Sequence, residues 1–482
     1  MNGINDAGQE RKIAWPMLAF MAFSTVWGFG NVTNGFMYFG GIQVIFSWIL
    51  MFALYFVPYT LMVGELGSAF KQSGGGVSSW IQGTYGNKMA YYAGWTYWAV
   101  HIAYIASKGS GGLKALSWAL FRNAQVYDEL PTLSVQLATL AVLLLFCYIA
   151  SRGVRVLKGI TTLAGSTMFI MSILFILMMF AAPVINPGGG FVAMDFRLKH
   201  LIPRFDAHYF TSLSILVFAV GGCEKISPYV NRVDEPSRNF PRSMILLAGM
   251  VVVCAILGTI ALGMMFDPAV ISATDASFNS YVSNGAYWAF QKLGRYYRVG
   301  DFFLIIYAVC NAIGQFSTLV ISIDAPLRML LGNDYARDYV PGALLRRNRH
   351  GAYLNGIRLV AALSGAIILA QILVPGAAAV LTQLTKLNSV CMPLRYLWVF
   401  VAYIGLRRNA DRAPAGYRFV KSRTLALFFG YWCAFVTAAC CILGMYSRDP
   451  FTMLLNIITP CALVALGMIM PCLARRERTR ER

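Results

Sequence analysis

The chain has 482 residues, of which 58% are apolar and only 12% charged. A water-covered protein carries about 25% charged residues, so this composition excludes an ordinary soluble globule and puts most of the surface against lipid. The net charge of +20 is scattered between apolar runs and forms no separate basic domain, which excludes a nucleic-acid-binding protein.

The polar N-terminus MNGINDAGQERK leads into an apolar run too long for a secretory h-region, so no cleavable leader is expected. Twelve stretches of membrane-spanning length follow. They lie at about 14–39, 42–66, 89–120, 131–150, 159–184, 208–230, 244–266, 300–327, 354–374, 377–405, 424–446 and 451–473. The expected fold class is an all-α membrane protein of twelve transmembrane helices, since each helix satisfies its own backbone within the bilayer. With both termini in the cytoplasm, 26 Lys and Arg fall on the inner side and eight on the outer. That asymmetry predicts a multi-pass protein of the cell inner (plasma) membrane with anionic lipids as partners. Two outer loops are long, 185–207 and 267–299. The second, with NSYVSNGAYWAFQKLGRYY, is either an ordinary ordered loop or a set of short helices capping an outer vestibule.

The ten Cys include no C-x-x-C pair and read as small packing residues. There is no H-E-x-x-H, G-x-S-x-G or P-loop, so no metal, cofactor or enzymatic activity is expected.

Two of the spans are predicted to be broken. Span one carries TVWGFGNVTNG, with Gly28 and Gly30 in mid-membrane followed by Asn31. Span six carries FAVGGCEKISPY, with Gly221 and Gly222 ahead of Glu224, Lys225 and Pro228. Glycine holds a helix poorly, so the backbone can open at residues 28–31 and 221–224. The breaks lie five spans apart, so the two helices cross in opposite senses. That is the pattern of two five-helix repeats in inverted topology, with two further helices outside the core. Broken ends expose amides that attract a carboxylate and carbonyls that attract an ammonium, the two groups of an amino acid.

Charges inside spans are costly and mark pathways or pairs. Glu224 is read either as a proton-coupling group or as half of a structural ion pair. Tyr97, His101, Tyr104 and Lys108 are offset by four, three and four residues and share one helix face. That stripe lines a pathway, unless Lys108 snorkels to the membrane surface. Lys386 and Arg395 in span ten are candidate partners for Glu224 or Asp324, and Asp324 with Arg328 reads as a structural or gating pair.

The ordered motifs Gly28-Phe29-Gly30, GELGSAF with QSGGGVSSW, GCEKISPYVNRVDEPSRNFPRS at 222–243 and APLRMLL followed by YVPGALLRRNRHGAY are similar to those of the amino acid–polyamine–organocation superfamily. The resemblance is to its glutamate/GABA antiporter branch and covers most of the chain. It implies a LeuT-like core in which 1–184 holds the first repeat, 185–405 the second, and 406–482 two peripheral helices and a basic tail. It also implies a secondary transporter with an amino acid or amine as substrate, protons as a candidate coupling ion, and a homodimer in some members. By position it implies substrate contacts at Gly28, Phe29, Gly30, Asn31, His101, Tyr104, Lys108, Phe218, Val220, Gly221, Gly222 and Cys223. Phe218 falls where an aromatic gate is expected, and Glu224, Lys225 and Lys386 are the coupling or gating candidates. Phe29 departs from the small polar residue usual there and is expected to narrow or alter the carboxylate site. Lys158 lies at the cytoplasmic entrance of span five rather than within it. Lys108, Lys225 and Lys386 favour an acidic substrate if they face the cavity. A cationic amino acid or amine exchanger, with Glu224 as counter-charge, and a non-transporting sensor are the alternatives.

Overall fold

The architecture follows from where glycine opens the backbone beside the first and sixth expected spans. The computed structural model describes residues 12–373, 388–409, 416–447 and 449–481. Lys386 and much of the expected tenth span lie outside these residues. Among the described residues the chain is helical with no strand beyond one isolated bridge, Ile13 to Val233. Nine helical stretches there are long and apolar enough to cross a membrane.

The first expected span is two helices, Trp15–Val26 and Phe29–Tyr38, joined by extended backbone at Trp27 and Gly28. Each half is too short to cross alone. Asn87–Phe121 is 35 residues long but carries His101, Lys108 and Lys114, which lower its hydropathy. The described part of the tenth span is interrupted at Arg395 and Tyr396, between Asn388–Leu394 and Leu397–Arg408.

Other ends differ from expectation for local reasons. The seventh expected span begins at Pro236 rather than 244, because a proline at the first helical position starts a polar turn ahead of the apolar run. In Gly41–Ala69, a π segment at Phe52–Phe56 precedes Pro58. Pro58 has no N–H for the Leu54 carbonyl, which instead lies 3.9 Å from Cys433 Sγ. The segment 267–299, expected on the outer side, forms a 22-residue helix, Asp275–Tyr296, after the short Pro268–Ile271. Thr274 Oγ1 caps it by accepting from the Ser277 amide at 3.0 Å.

Burial separates centre from rim. Only 28% of the most apolar part of Thr132–Ser151 is buried, against 72% in Ala207–Arg232. Leu144, Leu145, Ile170, Leu177 and Phe435 project outward from the rim helices, as lipid contact requires. The core is built by Asn87–Phe121 packed along Phe302–Leu331, with the two broken helices beside them.

Candidate binding cavity

The interrupted backbones of the first and sixth expected spans meet. Ala207–Val220 ends at Gly221, and Gly222 turns at φ 112° into the 3-10 segment Cys223–Arg232. A side chain is strained at that angle, and a Cβ on Gly222 would stand 3.0 Å from the Thr25 carbonyl oxygen. Opening a helix inside a bilayer leaves carbonyls that need donors. Asn31 Nδ2 donates to Val26 O at 3.1 Å and to Ala219 O at 3.0 Å, one carbonyl from each break. Thr25 Oγ1 lies 3.2 Å from Gly222 O and 2.8 Å from Ala22 O. The first break sits at Trp27–Gly28, so Phe29, Gly30 and Asn31 form the opening turn of the second half-helix rather than the break itself.

A cavity of about 300 Å³ lies against this junction. Gly28, Gly30, Asn31, Tyr104, Lys108, Phe218, Gly221 and Lys225 line it. Phe29, His101, Val220, Gly222, Cys223 and Glu224 stand behind its wall. Phe29 packs edge-on against Phe175, Phe290 and Tyr307, with ring centroids 4.7, 5.0 and 5.8 Å away. Phe29 itself is not among the lining residues, and its cluster reaches the cavity through Tyr307.

The charged lining residues are all cationic. Among the lining residues are Lys108, Lys114, Lys225 and Arg395, and no Asp or Glu. Lys108 Nζ donates to Gln315 Oε1 at 3.1 Å. Lys108 and Lys225 lie 4.9 and 5.0 Å from the centroid of the same Tyr104 ring. Neither has a carboxylate partner among the described residues, although Lys225 is only 3% exposed. Lys114, nearer the mouth, pairs with Asp128 at 3.3 Å and donates to Ser283 at 2.8 Å.

Glu224 is fully buried and takes the Tyr59 hydroxyl on Oε2. Its Oε1 lies 3.5 Å from Arg395 Nη2. Arg395 also meets His101, whose Nε2 is 2.9 Å from Nη1, while His101 Nδ1 is 2.5 Å from the Tyr97 carbonyl. A carbonyl accepts only, so Nδ1 carries the proton and Nε2 accepts from the guanidinium. The expected polar stripe therefore divides: Tyr97 and His101 serve Arg395, and Tyr104 and Lys108 serve the cavity.

Asn311, Gln315 and Thr318 also line the cavity and were not singled out from the sequence. Their spacing of four and three was the available signal, hidden because neutral polar residues barely disturb an apolar run.

The cavity reaches toward Asp275–Tyr296 through Val282, Ser283 and Ala286. At the other end the bundle is closed. Arg328 Nε pairs with Asp324 Oδ2 at 2.6 Å, and Tyr229 donates to that oxygen at 2.8 Å. Beyond them the Ile13 amide donates to Arg232 O at 2.8 Å, and Asp234 N to Ile13 O at 3.1 Å.

Membrane-spanning helices interrupted around a shared polar cavity define a multi-pass membrane transport protein rather than an enzyme. The chain belongs to the amino acid permease family, whose model matches residues 13–466. It is 46% identical to the aspartate/glutamate permease AcaP of Lactococcus lactis subsp. cremoris, across 97% of this chain and 96% of the relative. Over 49% of each chain it is 26% identical to the inner membrane transporter YjeM of Escherichia coli. A probable agmatine/putrescine antiporter, AguD of Lactococcus lactis subsp. lactis, is 25% identical over 45% of this chain.

Proposed function

We propose that this permease moves acidic amino acids, aspartate and glutamate, across the inner (plasma) membrane by alternating access. The observation that carries the reading is the cavity wall: Lys108 and Lys225 line it without a carboxylate partner among the described residues. Two like charges over one ring repel each other at modest dielectric, and a bound anion relieves that cost. The relative named as an aspartate/glutamate permease, alike over nearly the whole chain, points the same way.

In this reading the α-carboxylate sits at the positive end of Phe29–Tyr38, at Gly28, Gly30 and Asn31. The α-ammonium takes broken-helix carbonyls beside Gly221, and Phe218 covers it. The side-chain carboxylate lies between Lys108 and Lys225, against Tyr104. Phe29, His101, Val220, Gly222 and Cys223 shape this site from behind, and Glu224 fixes Arg395 or exchanges a proton with the pathway. Twelve spans, two inverted five-helix repeats at 1–184 and 185–405, a peripheral pair at 406–482 and cytoplasmic termini complete the arrangement. The outer side is then the one toward Asp275–Tyr296, and anionic lipids meet the inner basic segments.

Proteoliposomes loaded with unlabelled glutamate test this. Labelled aspartate and glutamate should enter by counterflow, with and without an imposed pH gradient to reveal proton coupling. Uptake of agmatine or arginine in their place would sink the acidic reading and favour the cationic exchanger.

A further inference from the structure

A second cavity of about 460 Å³ lies apart from the first, on the outer-loop layer. Four aromatic residues line it: Phe266, Tyr281, Trp288 and Tyr296. Tyr281 meets Trp288 edge-on at 4.9 Å and Phe266 at 5.6 Å, so the rings form a fixed apolar corner. Lys292 and Arg295 line it as well, and no Asp or Glu does. Lys292 Nζ donates to the Met265 carbonyl at 2.6 Å and stands 5.7 Å from the Phe266 ring centroid. Burial, then the neighbouring Arg295, push the Lys292 pKa below its ordinary value. An anion in the cavity favours the charged lysine and offsets the repulsion from Arg295, because it supplies a counter-charge. The Tyr296 hydroxyl, buried at the same cavity, has no hydrogen-bond partner among the described residues.

The helix Asp275–Tyr296 carries both cavities. Its Tyr281, Trp288, Lys292 and Arg295 line the outer one, while Val282, Ser283 and Ala286 wall the central one. A ligand held on the first set therefore bears on the same helix that lines the second.

We infer that this outer cavity is a separate binding site for a small organic carboxylate with a flat apolar body. The carboxylate pairs with Lys292 and Arg295, and the body lies against Trp288 and Tyr281. The assignment does not rest on the substrate of the central cavity.

Equilibrium dialysis of radiolabelled benzoate against the purified full chain tests it. Benzoate should bind saturably. The double variant Lys292→Gln, Arg295→Gln and the single variant Trp288→Ala should each weaken binding by about tenfold or more. Lys225→Gln, in the central cavity, should leave benzoate binding unchanged. An unchanged thermal transition certifies each variant as folded. If the double variant does not fold, Arg295→Gln, an exposed change, carries the comparison. Loss of binding in Lys225→Gln, or retention in the outer variants, would overturn the site. Absence of saturation below about 10 mM would do the same. Binding of glycerol phosphate in place of benzoate would reassign the site to a lipid headgroup and overturn the carboxylate.

Discussion

Asn31 and Ala219, on opposite sides of the junction between the two broken helices, are joined by a hydrogen bond of 3.0 Å from the Asn31 side-chain amide to the Ala219 carbonyl. The same amide serves Val26 at 3.1 Å, so one neutral side chain satisfies carbonyls released by both interruptions. A neutral donor suits this place because the junction must hold together while an anionic ligand arrives and leaves.

Replacing Asn31 by Ala strands two carbonyls and removes the carboxamide that fills the space between them. An unsatisfied buried acceptor costs about 1–3 kcal/mol. Asn31→Ala should lower the thermal midpoint of the detergent-purified protein and abolish most transport. An unchanged midpoint would show that water replaces the amide freely.

Lys225→Gln keeps much of the side-chain length and removes the charge. Losing one member of a poorly solvated charge pair costs about 2–5 kcal/mol of binding. Half-saturating concentrations for aspartate and glutamate should rise by about tenfold or more, with Lys108→Gln giving a smaller rise because Lys108 is more exposed and tied to Gln315. Uptake of asparagine and glutamine should be affected less. Equal losses for acidic and amide substrates would place the lysines outside recognition of the side-chain carboxylate.

Glu224 and Arg395 call for a double-mutant cycle. Glu224→Gln leaves a guanidinium, only 3% exposed, without its carboxylate. Breaking a buried pair from one side costs about 3–5 kcal/mol, whereas removing both charges is often far milder. Glu224→Gln should therefore be less stable than Glu224→Gln combined with Arg395→Met. The pH profile of transport separates the two roles left to Glu224. A profile unchanged in the Gln variant removes it from proton coupling, and a flattened one keeps it there.

The breaks were legible because glycine pairs in mid-span are where a membrane helix can open. Gly28 and Gly222 are the residues that open it, although the first break lies one residue earlier than expected, at Trp27–Gly28. Tyr104, Lys108 and Lys225 were legible because charges and hydroxyls stand out in apolar runs. His101 was read onto the cavity since it shares their stripe. Tyr97 and Lys108 are eleven residues apart, about 16 Å along the axis, so one stripe meets different neighbours at different depths. The Glu224–Arg395 partnership was one of several pairings left open, because only folding brings residues so distant in sequence together. Phe29 was expected to narrow or alter the site, and sequence gives a side chain's size but not the aromatic cluster it packs into.

The closed end makes the last prediction. Asp324 accepts from both Arg328 and Tyr229, and all three are buried, so this cluster helps seal the bundle opposite the cavity mouth. Asp324→Asn removes the charge that holds Arg328 and weakens the Tyr229 bond. A buried guanidinium without its carboxylate favours any conformation that lets in water, so the population should shift toward opening at this end. Hydrogen exchange in the Asn variant should rise along Cys223–Arg232 and the last turns of Phe302–Leu331, while the Asp275–Tyr296 helix changes little. Exchange that rises equally at both ends would mean general loosening and would deny the cluster a gating role. Tyr229→Phe keeps the ion pair and loses one hydrogen bond, and should give the same pattern at smaller amplitude.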